Sequence, residues 1–416
     1  MIRFEVRVPM KKIRCRLKDL MAKQNPPLSQ YQLAKETDIS VNAIGRLYKG
    51  EFERIDCKTA EVLCNYFGCD LCELFSFEAE SSQRVTGNEI RKRYAAGERD
   101  FSRIDLTEAK LSGINLTEVL LTAAILKDAS LPNADLSQAN LDNADLRGAN
   151  LKGANLNTAT LRRAKLSEAT LDSATLFYAE LTDAELSQTS LQDAELGWAN
   201  LSGAVLTGAT LNKAKMARAN LRTADLTKAE LKEANLSWAD LREVRLIDAD
   251  LREAVLEADC LVDADLSNAN LSNANLQRTD LSNANLSNAN LSNANLSNAK
   301  LKKTNLSSAN MSSTNLYGID LSTCNLNGIN LSGADLRRVN LNSAVLRGAN
   351  LSNAKLDDTD LKYADLSGAN LIGVEQSKAD LRGATMPDGT IQDDGIIYDS
   401  NYKRSPEDKF YDSYEF

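Results

Sequence analysis

The stretch ADLSQANLDNADLRGANL (134–151) places a leucine at every fifth residue, Leu136, Leu141, Leu146 and Leu151, with an alanine two residues before each. Followed outward in both directions, this period runs without insertion or deletion from Phe101 to Met386. Leucine gives way only at Phe101, Met216, Met311, Gln376 and Met386. The second position is usually Ala, and otherwise Thr (Thr189, Thr279, Thr304, Thr314, Thr359), Val, Ile or Cys324. Asn, Asp, Ser, Gly, Lys, Arg and Glu fill the other three. A period of five matches neither the 3.6 residues of a helical turn nor the two of a strand. A chain that turns a right angle every five residues satisfies it. Leu and the small residue then point inward, and four turns close a square coil of about 20 residues, each coil bonded to the next at the ~4.8 Å strand spacing.

About 14 such coils make a rod on the order of 70 Å long. The narrow interior accounts for pairing Leu with Ala, because a larger second residue would overpack it. Two positions break the pattern. Gln376 stands where leucine belongs, which predicts loosening in the last coils. Asp259 stands where alanine belongs, beside Cys260, and a buried unpaired carboxylate is costly. A local bulge or a hydrogen-bonded Asp259 is expected there, as a tolerated defect in preference to a functional site.

These residues resemble the pentapeptide-repeat family, written A-(D/N)-L-x-x, most openly in 134–151 and in ANLSNANLSNANLSNA (284–299). The resemblance implies a mainly β fold, a right-handed quadrilateral β-helix over 101–386. EIRKRYAAGERDF (89–101) resembles the family's short capping helix, here placed at 89–100, and RGATMPDGT (382–390) its terminating turn. Both make physical sense, since an open solenoid end exposes leucines and unpaired edges.

Composition narrows the function. Aromatic residues are 5% of the chain and histidine is absent, which removes His-based triads and His-containing zinc sites. No Gly-rich phosphate loop is present, and the interior is filled, so a non-enzyme without cofactor is expected. No run approaches the ~18 apolar residues of a membrane span; a soluble, cytoplasmic protein is expected. Residues 1–49 hold 11 Lys/Arg against 4 Asp/Glu, whereas 101–386 hold 28 against 35 and 387–416 hold 3 against 8. Only the basic N-terminal end invites phosphate.

Residues 1–78 read as a small all-α domain, followed by a linker at 79–88. KKIRCRLKDLMAKQN (11–25) spaces Ile13, Leu17, Leu20 and Met21 as an amphipathic helix stopped by Pro26 and Pro27. Ser29 and Ser40 are candidate N-caps of the next two helices. CKTAEVLCNYFG (57–68) and DLCELF (70–75) suggest two more. Cys57, Cys64, Cys69 and Cys72 include one C-x2-C pair, but the remaining spacings fit no standard zinc module; core thiols are the expectation.

LSQYQLAKETDISVNAIGRLYKG (28–50), followed by KTAEVLCNYFGCDLCELF (58–75), resembles the Cro- and lambda-repressor-type helix-turn-helix. The resemblance implies double-stranded DNA as partner, with the second motif helix in the major groove. By position, Ser40, Val41, Asn42 and Ala43 would face bases and Gln30 a phosphate. Arg46, Lys49, Lys11, Lys12 and Arg14 would add phosphate contacts, which supply affinity more than sequence choice. Only Asn42 carries an amide suited to adenine, so weak or shape-led specificity is expected. Retention of the fold as a protein-docking module stays open, as does a homodimer.

An unbroken register stacks residues 20 apart. One column reads Tyr178, Trp198, Arg218, Trp238, Ala258, Arg278, with Phe177 beside it and Tyr317 on the same face. Exposed Trp, Tyr and Arg are the usual anchors of a protein interface, though such a ladder would also merely stiffen the rod. A second column, Asn270 to Asn370, is expected to form an asparagine ladder. The acidic, aromatic tail 387–416 would cap the last coil, pair two rods or stay unfolded. The favoured reading is a DNA-binding regulator, transcriptional or nucleoid-associated, whose rod is a scaffold for an unidentified protein. The alternative is a DNA-mimicking or docking protein acting on a DNA-binding enzyme such as gyrase, a role that some pentapeptide-repeat proteins have.

Overall fold

The computed structural model describes residues 13–24, 27–49, 56–69, 74–77 and 84–392. It divides into two compact units, Met1–Gln83 and Arg84–Phe416.

In the first unit, strand β1 (Ile13–Cys15) is followed by helices α1 (Leu17–Ala22), α2 (Gln30–Thr37), α3 (Val41–Lys49) and α4 (Cys57–Phe67), then by strand β2 (Phe75–Phe77). β1 and β2 pair antiparallel, Ile13 opposite Phe77 and Cys15 opposite Phe75. This corrects the expected 11–25 helix. Only Leu17–Ala22 is helical, and the Arg16 amide instead donates to the Leu74 carbonyl at 2.8 Å. Of the helix expected over 70–75, Leu74 is helical, Phe75 already belongs to β2, and 70–73 lie outside the described residues. Leu17, Met21, Leu33, Ile44, Leu47, Leu63 and Leu74 form the core with Cys15 and Ala34, and Cys64 and Cys69 pack against it. α2 begins with a capping box, the Gln32 amide donating to Ser29 Oγ and the Gln32 side chain accepting from the Ser29 amide.

In the second unit, α5 (Gly87–Ala95) caps the rod, two residues earlier at its start than the expected 89–100. The segment read as linker is therefore structured from Arg84 onward: the Val85 amide donates to Asp105 O at 2.8 Å, and Thr86 caps the helix. Gly87 is required, because a Cβ there would lie 2.1 Å from the Lys110 carbonyl. Ile90 is buried with Phe101, and the Arg93 guanidinium lies 5.0 Å from the Phe101 ring.

Beyond the cap, parallel single-residue bridges join positions 20 apart, from Asp100–Leu120 to Asp365–Thr385. Each corner is a four-residue turn, as where the Ala149 amide donates to Leu146 O at 3.0 Å. The third residue of nearly every corner has φ near +60°, as a type II turn requires, even where it is not glycine. The leucines and alanines line one continuous core. Asn290, Asn310, Asn330, Asn350 and Asn370 each donate through Nδ2 to the asparagine 20 residues earlier at 2.9–3.2 Å, the expected ladder. At Gln376 the chain forms a 3-10 turn, Gln376–Lys378, and Leu371 and Val374 are partly exposed. An antiparallel bridge, Thr385–Ile391, ends the described rod. Asp259 causes no bulge; bridges Asp240–Cys260 and Cys260–Asp280 keep the register.

Candidate nucleic-acid interface and aromatic edge

Ile44 and Leu47 face the core of the first unit, and that choice fixes the outer surface of α3. Asn42, Arg46 and Lys49 follow at i, i+4 and i+7, so they share one face, and all three are exposed. Ser40 precedes the helix and accepts the Ala43 amide at 3.2 Å, so its hydroxyl is committed to capping. Val41 is 44% exposed, and Ala43 is half-buried. Gln30, the first residue of α2, reaches across to α3: its Oε1 lies 3.5 Å from where a Cβ would stand on Gly45. Among the described residues no ion pair engages Arg46 or Lys49, so both cations are available to an anion.

Two expected phosphate contacts, Lys11 and Lys12, lie outside the described residues. Arg14 belongs to β1, not to a basic first helix. Sequence reasoning passed over Tyr31, which follows Gln30 on α2 and is 72% exposed, the most open aromatic ring described in this unit. The signal was present, since a polar-flanked tyrosine in the first turn of a short helix has no core to enter.

On the rod, Tyr178 stacks on Trp198 with ring centroids 6.0 Å apart and planes 15° from parallel. Arg218 covers the other side of Trp198 at 4.7 Å. Phe177 is half-buried over Gly197, where a Cβ would come within 2.9 Å of its ring. The stack ends there. Among the described residues no ring contact joins Arg218 to Trp238, which stands alone and 59% exposed, and Ala258 separates it from Arg278. A second group not foreseen lies further along the same edge, where Arg337 and Arg338 approach the Tyr317 ring at 5.6 and 5.8 Å.

Tyr178, Trp198 and Trp238 all occupy the left-handed corner position, with φ of 57°, 61° and 66°. Bulky residues rarely adopt that conformation. Several of the rod's carboxylates, by contrast, are paired with a cation in place. Arg147, Arg252 and Arg337 each pair with the Asp two residues earlier at 2.5–2.6 Å. The hydrogen-bonded guanidinium holds Asp145, Asp250 and Asp335 below the ordinary carboxylate range.

The sequence matches the pentapeptide-repeat family across residues 100–257 and 260–386, and the Cro/C1-type HTH DNA-binding domain across 16–80. Among solved structures it is similar to HetL, a pentapeptide repeat protein involved in heterocyst differentiation regulation in the cyanobacterium Nostoc. That match has 32% identity, covers 74% of this chain and all of that one, and has a TM-score of 0.31. The fluoroquinolone resistance protein QnrB1 matches at 16% identity, over 43% of this chain and 92% of its own, with a TM-score of 0.38. A pentapeptide repeat protein of the Arabidopsis thaliana thylakoid lumen matches at 25% identity, over 28% and 66%, with a TM-score of 0.17. No curated protein matches the chain.

Proposed function

Since the chain belongs to the pentapeptide-repeat family and carries a Cro/C1-type helix-turn-helix domain, we propose that it is a non-enzymatic DNA-binding regulator whose rod recruits a protein partner. The observation that carries the first half is the α3 surface, where Asn42, Arg46 and Lys49 share an exposed face unencumbered by ion pairs among the described residues. Arg46 and Lys49 supply phosphate contacts, and Asn42 with the Val41 methyls supplies a modest preference for A·T pairs. Tyr31 and Gln30 flank this face at the start of α2 as backbone contacts.

For the second half, the support is Tyr178, Trp198 and Trp238 held outward at the corner position. Large aromatic side chains that stand exposed and add nothing to the core, with a guanidinium beside them, are the residue types that anchor protein interfaces. The DNA-mimic reading asks for an unbroken acidic surface, and the pairing of Asp145, Asp250 and Asp335 with arginines two residues on weighs against it.

The test is binding of the full chain to random duplex DNA as a function of salt. Wild type is expected to bind with an affinity that falls steeply as salt rises, and Arg46→Ala to weaken binding on all sequences and flatten the salt slope by about one. Equal binding by wild type and the double variant Arg46→Ala/Lys49→Ala would remove α3 from the interface. Trp198→Ala is expected to leave DNA binding unchanged, separating the two surfaces.

A further inference from the structure

Six inward positions of the rod carry a hydrogen-bonding side chain other than Asp, and they all behave alike. Thr189, Thr279, Thr304, Thr314 and Thr359 donate through Oγ1 to the carbonyl of the leucine 23 residues earlier, at 2.6–3.0 Å, and Cys324 Sγ does the same at 2.9 Å. Each reaches the corner of the preceding coil and contacts the carbonyl that opens it. Asp259 reaches the equivalent corner, Leu236–Ala239, with its polarity reversed. Its Oδ1 accepts the Ala239 amide at 2.9 Å, the same N–H that closes the corner by donating to Leu236 O at 2.8 Å. That amide belongs to the peptide joining Trp238 to Ala239. The other carboxyl oxygen, Oδ2, is buried with no hydrogen-bond partner, and the residue is 2% exposed.

The ladder around Asp259 is stretched. The corner bond from the Asp259 amide to Leu256 O is 3.4 Å, and the bond from the Cys260 amide to Ala239 O is 3.2 Å, against 3.0 Å at Asp240 and Asp280 on either side. No charged side chain offsets the carboxyl. Its determinants are burial, which raises the pKa, and the Ala239 and Trp238 backbone, which lowers it less. The neighbouring titratable groups lie on the outward positions: Glu257 and Cys260 in its own coil, Asp240 in the coil before and Asp280 in the coil after. Asp240 is paired with Arg242, and Asp280 with Lys300 at 3.4 Å. In the inward column, Ala239 and Thr279 are the neighbours, and the Thr279 hydroxyl is already committed to Leu256.

We propose that Asp259, kept protonated in the rod interior, is a positioning residue for Trp238, and that loss of its proton to solvent releases the corner that presents this ring. In the acid form Oδ1 accepts the corner amide and the interior carries no charge. In the carboxylate form a full charge faces leucines and alanines with one N–H to meet it, so the carboxylate must draw in water or swing outward. Either movement pulls on the Trp238–Ala239 peptide. The meaning for partner recruitment rests on the aromatic edge being the contact surface; the coupling itself does not.

The experiment uses the full chain with Trp198→Phe, which leaves Trp238 as the only tryptophan, and follows its emission maximum and acrylamide quenching from pH 6 to 10, with far-UV circular dichroism in parallel. The expected result is a one-proton transition centred near pH 9, with the rod signal unchanged across it. In the same background, Asp259→Asn and Asp259→Thr remove the transition, while ionisation of exposed tyrosines remains common to all three proteins. A transition that persists in both variants overturns the proposal, and so does a flat Trp238 signal over the range where the rod stays folded. Because no DNA or partner protein is present, neither outcome bears on the function proposed above.

Discussion

The two units bury their side chains under different rules. In the first, nine residues drawn from β1, the helices and Leu74 just before β2 make one core, which gathers segments remote in sequence. In the second, a leucine and a small residue recur every five positions, and each layer touches only the layers above and below. A globular core of nine residues has no spare layer, so one fault is felt throughout. A solenoid confines a fault to a few coils, and its stability is close to a sum over neighbours. Confinement allows the rod to keep a residue such as Asp259, which a core of nine would not tolerate.

Replacing Asp259 gives the largest expected effect. Burial pushes its carboxyl up to about 9, against an ordinary 3.8. Because the folded value lies above the unfolded one, folding takes up a proton between these pH values. Stability from this group is fully present below pH 4 and falls as pH rises toward 9. At pH 7 the loss is on the order of 4 kcal/mol, at ~1.4 kcal/mol per pH unit. Asp259→Thr is therefore expected to raise the urea midpoint, more at pH 8 than at pH 5. An equal gain at both pH values would mean that the carboxyl is ionised in the folded rod.

The second test sets the two cores side by side. Ile44 and Leu286 are both fully buried, and truncation of either to alanine costs about 2–5 kcal/mol. Ile44→Ala is expected to abolish the helical dichroism of the N-terminal unit and DNA binding with it. Leu286→Ala is expected to open one short stretch of the rod to protease and leave the remaining coils intact. Loss of the whole rod on Leu286→Ala would show that its coils fold as one cooperative block.

The same contrast explains what could be read before any coordinates. In the rod a single hydrogen-bonding register satisfies the five-residue period, so bridges, core columns and the asparagine ladder all follow from Leu136 and its equivalents. The side-chain contacts of the edge do not. Arg218 has Trp198 on one side and Trp238 on the other, and rotamer choice, invisible to a column of letters, places it on Trp198. In the first unit, Ile13, Leu17, Leu20 and Met21 fit a helical spacing, yet Ile13–Cys15 pairs with a segment about sixty residues later. Local periodicity cannot register a partner so far along the chain. The α3 face was legible because Ile44 and Leu47 must turn inward, whereas Tyr31 matched no apolar pattern and was passed over.

A third prediction concerns the start of α2, where the capping box is local to four residues. Ser29→Ala removes the acceptor of the Gln32 amide and is expected to cost about 1 kcal/mol of the N-terminal unit's stability. Thermal melting followed at 222 nm reads it, and the rod's transition should stay in place. A shift of both transitions together would mean that the two units do not unfold independently.

The smallest effect sharpens the picture of the rod itself. Asn310 gives its Nδ2 to Asn290, takes that of Asn330 and accepts the Ser312 amide, whereas Asn370 gives its Nδ2 to Asn350 and accepts only the Ile372 amide. Partly exposed amides each contribute at the low end of the ~0.5–1.5 kcal/mol range, because water competes for both partners. If the ladder is a sum of independent bonds, Asn310→Ala should lower the urea midpoint only modestly more than Asn370→Ala, by the one extra bond it breaks. If stacked amides polarise one another along the rod, cutting the ladder near its middle weakens the bonds on both sides as well. The ratio of the two midpoint shifts decides between these. A ratio well above two means a cooperative ladder, and a ratio below two means that nearest-neighbour addition holds for the outer surface as it does for the leucine core.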